Sequence, residues 1–407
     1  MIRLRFLIKY YMLSFLLIDS LSGFIRIYLG ISNPLFNVGY WVRGPLLLLL
    51  LFFFIIKLFK KEIVFEEALS LLMFIYFIFN ALFHLFDNSS MTMFINNLTY
   101  ILRFQFLLFL FVFLKNHMDI GTSLTRRIIK YNFLFFVINL SIGYFFGFGL
   151  ESYRFEGTSK GMFQGGNPVS ILNLIFFTFF LLDGKLRRKI IPVSLCLFNA
   201  FIIASKSVFG FLIPIFFALR KRAMSLNKII AYNVIIIIII FSFAPISNKA
   251  SELYESRFGL NIKKSISAAE KVGGLYNNQL LNSISSINFR RYASLNIQME
   301  ESFSNSKIFF IGTSFSGQNL FWNKRGEFWF TNASMDFFDL FFKFGILGTI
   351  IFLFIFSGIS IHSIFNANTR DKVAILLFLA YSFFGGHVID SVTSGSLFYY
   401  LLASIKS

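Results

Sequence analysis

Twelve apolar segments can be read along this 407-residue chain, and its Lys and Arg residues gather between alternate ones. A run of roughly 20 mostly apolar residues is suited to hydrocarbon, and in that solvent only a helix satisfies its own backbone within one segment. The chain is 57% hydrophobic, with 62 Phe and a mean hydropathy of +0.72. A water-soluble fold cannot hide that much apolar surface. The expected fold is all-α: a polytopic integral membrane protein with about 12 transmembrane helices and one large external loop.

The segments lie near 8–29, 44–58, 66–86, 96–114, 130–149, 168–182, 189–205, 206–219, 228–245, 335–361, 373–388 and 392–405. This divides the chain into residues 1–245 with nine helices, a polar stretch 246–334, and residues 335–407 with three more. The polar stretch is rich in Ser and Asn; 250–258 and 287–301 have helical composition, and Gly273–Gly274 and Gly312–Gly317 read as turns. No internal repeat relates the two halves, which disfavours a transporter built by duplication.

Orientation follows from the bias of basic residues toward cytoplasmic loops. One set of loops carries Arg3, Arg5, Lys9, Lys57, Lys60, Lys61, Lys115, Arg126, Arg127 and Lys130. The same set continues with Lys185, Arg187, Arg188, Lys189, Arg220, Lys221, Arg222, Lys228, Arg370 and Lys372. The opposite short loops carry Arg43, Arg154, Lys160 and Lys206. Both termini are expected in the cytoplasm and the 246–334 stretch outside. The net charge of +19 is then largely a topology signal, and nucleic acid is not expected as a partner. The basic N-terminus has no small-residue cleavage site after its apolar run, so it reads as a retained first span. Cys196 is the chain's one cysteine, which excludes an intramolecular disulfide and a zinc-type cysteine cluster.

Residues able to carry chemistry map to the outer ends of these segments. Arg154, in Arg154-Phe-Glu156-Gly157, offers a fixed bidentate donor for phosphate; as an ordinary surface charge it would pair with Glu156 or reach toward lipid headgroups. Asn167 reads as an N-cap ahead of Pro168, opening a helix whose free N–H groups suit an anion. Lys206, between two apolar segments with almost no loop, either snorkels or meets an anion in an outward cavity. Arg290 and Arg291 form a pair in the polar stretch, either solvated or a second clamp. Asp336 and Asp339 share a helix face, and Lys343, four residues on, is placed to pair with Asp339. Asp336 is a candidate general base, or a helix N-terminal charge favoured by the dipole; Glu327 is the alternative base. His387, in Gly385-Gly386-His387-Val-Ile-Asp390-Ser391, would orient a carboxylate or simply pack. Cations and carboxylates on one face suggest handling of a lipid-linked anion outside the cytoplasm.

The chain resembles bacterial O-antigen polymerases of the Wzy type, relatives of the O-antigen ligases. The likeness is carried by Arg154-Phe-Glu-Gly157 with Asn167-Pro168, by Ser205-Lys206-Ser207, by Met335-Asp336-Phe-Phe-Asp339-Leu running to Gly345-Ile-Leu-Gly348, and by Gly386-His387. The ligases carry a histidine entering the helix after the large loop, and Thr331 to Met335 holds none, which favours the polymerase. The resemblance implies a metal-independent glycosyltransferase of the inner membrane that needs no cofactor. Its substrates would be undecaprenyl-pyrophosphate-linked glycans, joined en bloc on the periplasmic side, with a chain-length regulator as a possible partner beside the membrane lipid. In that reading Arg154, Lys206, Arg290 and Arg291 bind pyrophosphate, Asp336 or Glu327 is the base, and Asn167 and His387 support them. A ligase-type transferase and a polysaccharide flippase are the alternatives.

The topology has a direct test. A reporter fused after Lys406 is expected to read as cytoplasmic, and one inserted near Asn278 as external. The opposite reading at either point removes the sidedness and with it the outer-face site.

Overall fold

A computed structural model describes residues 2–30, 37–86, 91–152, 158–163, 165–183, 190–203, 210–220, 289–315, 317–318, 335–356, 364, 367–384, 386 and 388–405; for 289–293 and 384 it gives the backbone alone. Among these residues the chain is helical, with no strand. The helices are α1 (Ile2–Tyr28), α2 (Val38–Phe59), α3 (Phe65–Phe86), α4 (Met91–His117), α5 (Thr122–Phe145), α6 (Gly166–Leu182), α7 (Ile190–Ile203) and α8 (Leu212–Arg220). After 221–288, which lie outside the described residues, come α9 (Phe289–Ser304), α10 (Ser306–Ile311), α11 (Asp336–Ile355), α12 (Thr369–Phe384) and α13 (Val392–Ala403).

Helices occupy the positions of the first eight and the last three expected segments; the ninth, 228–245, lies outside the described residues. Among those described, α1, α2, α3, α4, α5 and α11 are long and apolar enough to cross a membrane, and α6, α7 and α13 are shorter apolar helices. Among the described residues, length and composition therefore support six of the twelve crossings read from the sequence. Many large apolar side chains face outward, including Trp41, Phe52, Phe59, Ile75, Leu134 and Phe216. Such a surface is that of an α-helical membrane protein, whose outer solvent is lipid.

α4 is the most enclosed of the six, and α6 and α13 are buried along nearly their whole lengths. α4 packs on α2, α3 and α13; α13 packs on α1, α6 and α12; α6 packs on α7, α8 and α12. Fully buried Phe104, Phe106, Phe109, Phe111 and Phe113 of α4 sit in this core, with Tyr399 and Tyr400 of α13.

The basic ends of the helices are tied by two ion clusters. In one, Lys57 of α2 donates to both oxygens of Glu67 of α3 at 2.6 and 2.8 Å, His117 of α4 pairs with the same carboxylate, and Lys115 reaches Glu66 at 2.9 Å. In the other, Asp183 after α6 takes Arg126 of α5 at 3.1 Å and Arg370 of α12. Arg370 also donates to Asp371 at 2.7 Å and lies 4.7 Å from the centre of the Phe179 ring. The starts of α3, α5 and α12 thus meet the ends of α2, α4 and α6, as helices running alternately up and down require.

α11 is broken. Gly345 has φ 63 and ψ −172 inside the helix, a conformation essentially restricted to glycine. The break frees main-chain carbonyls, and each finds a donor. Thr313 N and Ser314 N, just after α10, donate to Phe342 O and Lys343 O, both at 2.9 Å. Tyr76 Oη of α3 donates to Phe344 O at 2.6 Å. α3 serves the partner segment too: Asn80 Nδ2 donates to Ile311 O at 2.8 Å, and His84 Nε2 lies 3.1 Å from Gly312 O. Tyr76, Asn80 and His84 recur every four residues and so form one polar stripe on an otherwise apolar helix. Part of the polar stretch is therefore packed into the helical body. α9 covers the joint, against α10 and α11.

Two glycines allow this joint. A Cβ on Gly345 would strike the backbone of Phe310 and Ile311, and one on Gly312 (φ 86) would strike that of Lys343 and Phe344. Gly345→Ala and Gly312→Ala are each expected to cost about 1–3 kcal/mol from backbone strain alone, before the collisions are counted. Gly44→Ala, in α2 with open space around it, is the control and should be neutral or slightly stabilising. Thermal unfolding of the detergent-solubilised variants checks this; equal midpoints for all three would remove the joint from the account of stability.

Candidate functional site

At the ends of the helices opposite the ion clusters lies a cavity of about 590 Å³. Its walls come from α1 (Asp19, Ser22), α2 (Gly39, Tyr40, Arg43), α4 (Tyr100, Arg103), the start of α6 (Gly165 to Pro168), Phe315 and Gln318, α11 (Lys343), and the turn into α13 (Asp390 to Thr393). Seven parts of the chain converge here, and each contributes a polar or charged group.

Arg43 sits in the second turn of α2. Asn37 caps that helix by accepting from Gly39 N at 2.8 Å, and Ser22 Oγ of α1 accepts from the same N–H at 2.8 Å. The guanidinium pairs with Asp19 Oδ1 and donates from Nε to Tyr11 Oη at 3.2 Å. Tyr11 in turn shares a hydrogen bond with Ser396 of α13 at 2.8 Å. The second oxygen of Asp19 is buried without a hydrogen-bond partner. Arg103 donates to Tyr40 Oη and lies 4.9 Å from the centre of that ring. A guanidinium offers five N–H donors in a planar fork, so both arginines retain donors for a ligand.

Lys343 is held at the break in α11 and is only 1% exposed. Its Nζ donates to Tyr100 Oη at 3.2 Å and lies 3.5 Å from Asp390 Oδ2. Tyr100 Oη donates to the same Asp390 oxygen at 2.6 Å. The Tyr100 and Phe315 rings stack at 4.0 Å, and the ammonium lies 4.8 and 5.2 Å from their centres. Lys343 therefore pairs with Asp390, not with Asp339 as the four-residue spacing suggests. Asp339 is occupied elsewhere: it accepts from Met335 N at 3.2 Å, Gln318 Nε2 at 3.2 Å and Gln298 Nε2 at 3.4 Å. That set orients Gln318, which lines the cavity.

Asp336 is buried and lies away from the cavity walls among the described residues. Its Oδ2 accepts from Val388 N and Ile389 N, both at 2.9 Å, and from Ser382 Oγ at 2.8 Å. Three donors thus converge on one oxygen of a carboxylate that does not line the cavity. What the carboxylate does is fasten the turn between α12 and α13, two residues upstream of Asp390.

Asn167 is not the N-cap of α6, because the helix starts two residues earlier than its sequence suggests. Gly165 caps it in an extended conformation, and Asn167 lies in the first turn with its Nδ2 3.4 Å from Gly386 O. Gly165 to Pro168, at the start of that turn, line the cavity, and Pro168 has no N–H. Arg154, Lys206, Glu327 and His387 lie outside the described residues. Arg290 and Arg291 fall in the first turn of α9, where the backbone alone is described. Asp19, Arg103 and Tyr100 are passed over by the sequence reading, and Arg43 enters it only as a loop charge. For Asp19 and Arg103 the signal was there: a charge inside an apolar segment is costly and by default marks a functional or paired position. Among the described residues, no group of three or more His, Cys, Asp or Glu side chains is placed to hold a metal ion.

If Asp336 is a fastener, removing it strands three donors. Asp336→Ala is expected to cost about 1–3 kcal/mol for each buried donor left without a partner. Asp336→Asn, which keeps one accepting oxygen, should cost less. Unfolding midpoints in detergent give the order wild type, Asn, Ala; an Ala variant as stable as wild type would contradict it.

No family model matches this chain, and comparison with curated proteins and with solved structures finds no match.

Proposed function

We propose that this protein is a metal-independent glycosyltransferase that polymerises oligosaccharide repeat units carried on undecaprenyl pyrophosphate, at the periplasmic face of a bacterial inner membrane. The observation that carries the reading is the cavity opposite the basic ends, where Arg43, Arg103 and Lys343 meet Asp19 and Asp390. Cations fixed in advance are what a departing pyrophosphate needs, since its negative charge grows as the sugar leaves. Carboxylates beside them are what an attacking sugar hydroxyl needs. With both termini in the cytoplasm, as the loop charges indicate, the cavity opens on the outer side, where lipid-linked repeats would be joined. Arg154, Lys206, Arg290 and Arg291 belong to the same outer set in this reading, and Glu327 and His387 keep their base and supporting roles in it.

Polymerase, ligase and flippase predict different glycans in a strain lacking the gene. Loss of the long ladder with one repeat retained supports the polymerase. Loss of all repeats points to a ligase or a flippase. In the complemented strain, Arg43→Ala, Arg103→Ala and Arg154→Ala are each expected to lower polymerisation by about 100- to 1,000-fold, the range seen when one fixed electrostatic donor is removed. Arg43→Lys should rescue poorly, since an ammonium lacks the planar fork. Full-length ladders from all three alanine variants, at normal protein levels in the membrane, would remove the arginines from the reaction.

A further inference from the structure

The carboxylates among the described cavity-lining residues are Asp19 and Asp390. Asp19 is committed to Arg43, and its remaining oxygen is buried. Asp390 is different in placement. Its side chain is 12% exposed, and it stands on a short turn whose main chain is fixed from several sides. Asp336 holds Val388 N and Ile389 N, Ser394 Oγ donates to Val388 O at 2.9 Å, and Gly386 N donates to Tyr381 O at 3.0 Å. Immediately after it, Ser391 caps α13 and accepts from Gly395 N at 2.7 Å. Tyr100 and Lys343 then fix the carboxylate itself, both through Oδ2. A catalytic group must be held in this way, because displacement by about 1 Å can cost on the order of 100-fold in rate.

We infer that Asp390 is the catalytic base of this site, and that Asp336 acts through it as a positioning residue. The inference rests on the polymerase reading above. Asp390 takes the proton of the acceptor sugar's hydroxyl as that oxygen bonds to the anomeric carbon of the donor. The bond from that carbon to the pyrophosphate oxygen breaks, and its electron pair leaves with the lipid pyrophosphate. Arg43, Arg103 and Lys343 face the charge that develops, and Asp390 returns the proton to water or to the departed pyrophosphate. Lys343 and Tyr100 thus touch both halves of the reaction: they hold the base, and Lys343 lines the cavity that receives the anion.

The test uses the full chain reconstituted in lipid vesicles with lipid-linked repeat units, and turnover measured against pH. If the wild type makes no polymer, the polymerase reading fails, and this inference falls with it. Given an active wild type, Asp390→Asn should lower turnover by about 100- to 10,000-fold. Asp390→Glu should keep part of the activity with the acidic limb of its pH profile displaced. Asp336→Asn should lower turnover while leaving that limb where the wild type has it, because it moves the base without replacing it. Asp390→Asn turnover within threefold of wild type overturns the assignment, and so does a displaced limb in Asp336→Asn with an undisplaced one in Asp390→Glu. If Asp390→Asn does not accumulate in the membrane, the Asp390→Glu profile decides alone, and an unchanged acidic limb is the overturning result.

Discussion

A carbonyl freed by a helix break in hydrocarbon has no water to accept from, and leaving it bare costs several kcal/mol. α11 breaks at Gly345 under that constraint, and much of the molecule is arranged around meeting it. The chain from 311 to 314 supplies two N–H groups and α3 a hydroxyl, while Asn80 and His84 of α3 hold the carbonyls of Ile311 and Gly312 in that supplying segment. α9 and α10 are brought against α11. Lys343, two residues before the break, reaches Tyr100 and Asp390 and not the partner that helical spacing would give it. A backbone irregularity at membrane depth is tolerated where it is buried in protein or lines a cavity, and this one does both.

The same rule separates the two ends of the bundle. At the basic end, Glu67 and Asp183 are almost wholly buried, Glu67 taking Lys57 and His117 and Asp183 taking two arginines, so little there is left for a ligand. Breaking such a pair by removing one partner typically costs about 3–5 kcal/mol, because the other charge stays behind. At the cavity end the cations keep unused donors and the walls enclose space. One set of charges is closed and holds helices together; the other is open.

The helical class and most element positions were legible from apolar run lengths, since lipid demands long apolar helices. α9 and the turn at Gly312 could also be read, from composition and from glycine. Among the described residues length supports six of the expected twelve crossings; α6 and α13 are shorter than a span needs, and the ninth segment lies outside those residues. The site was legible in part. The segments around Asn167, Lys343 and Asp390 were found, yet the roles shifted: Asn167 is not a cap, and Asp336 is enclosed by three donors. Periodicity places residues on one helix; it cannot say that α12 and α13 close over Asp336, or that Lys343 turns toward a residue 47 positions away. Asp19, Arg103 and the Tyr76, Asn80 and His84 stripe needed a different question: what partner does each polar group inside an apolar segment have?

The stripe on α3 has a consequence for how this protein is made. Its acceptors lie 228 to 268 residues further along the chain. At roughly 5–20 residues per second, α3 is complete for tens of seconds before Ile311, Gly312 and Phe344 exist. Throughout that interval three polar side chains wait on a helix bound for lipid. The insertion machinery, or the helices already made, must shelter them until the last third of the polypeptide arrives, and a ribosome stalled before that point would leave an assembly with its central seam open.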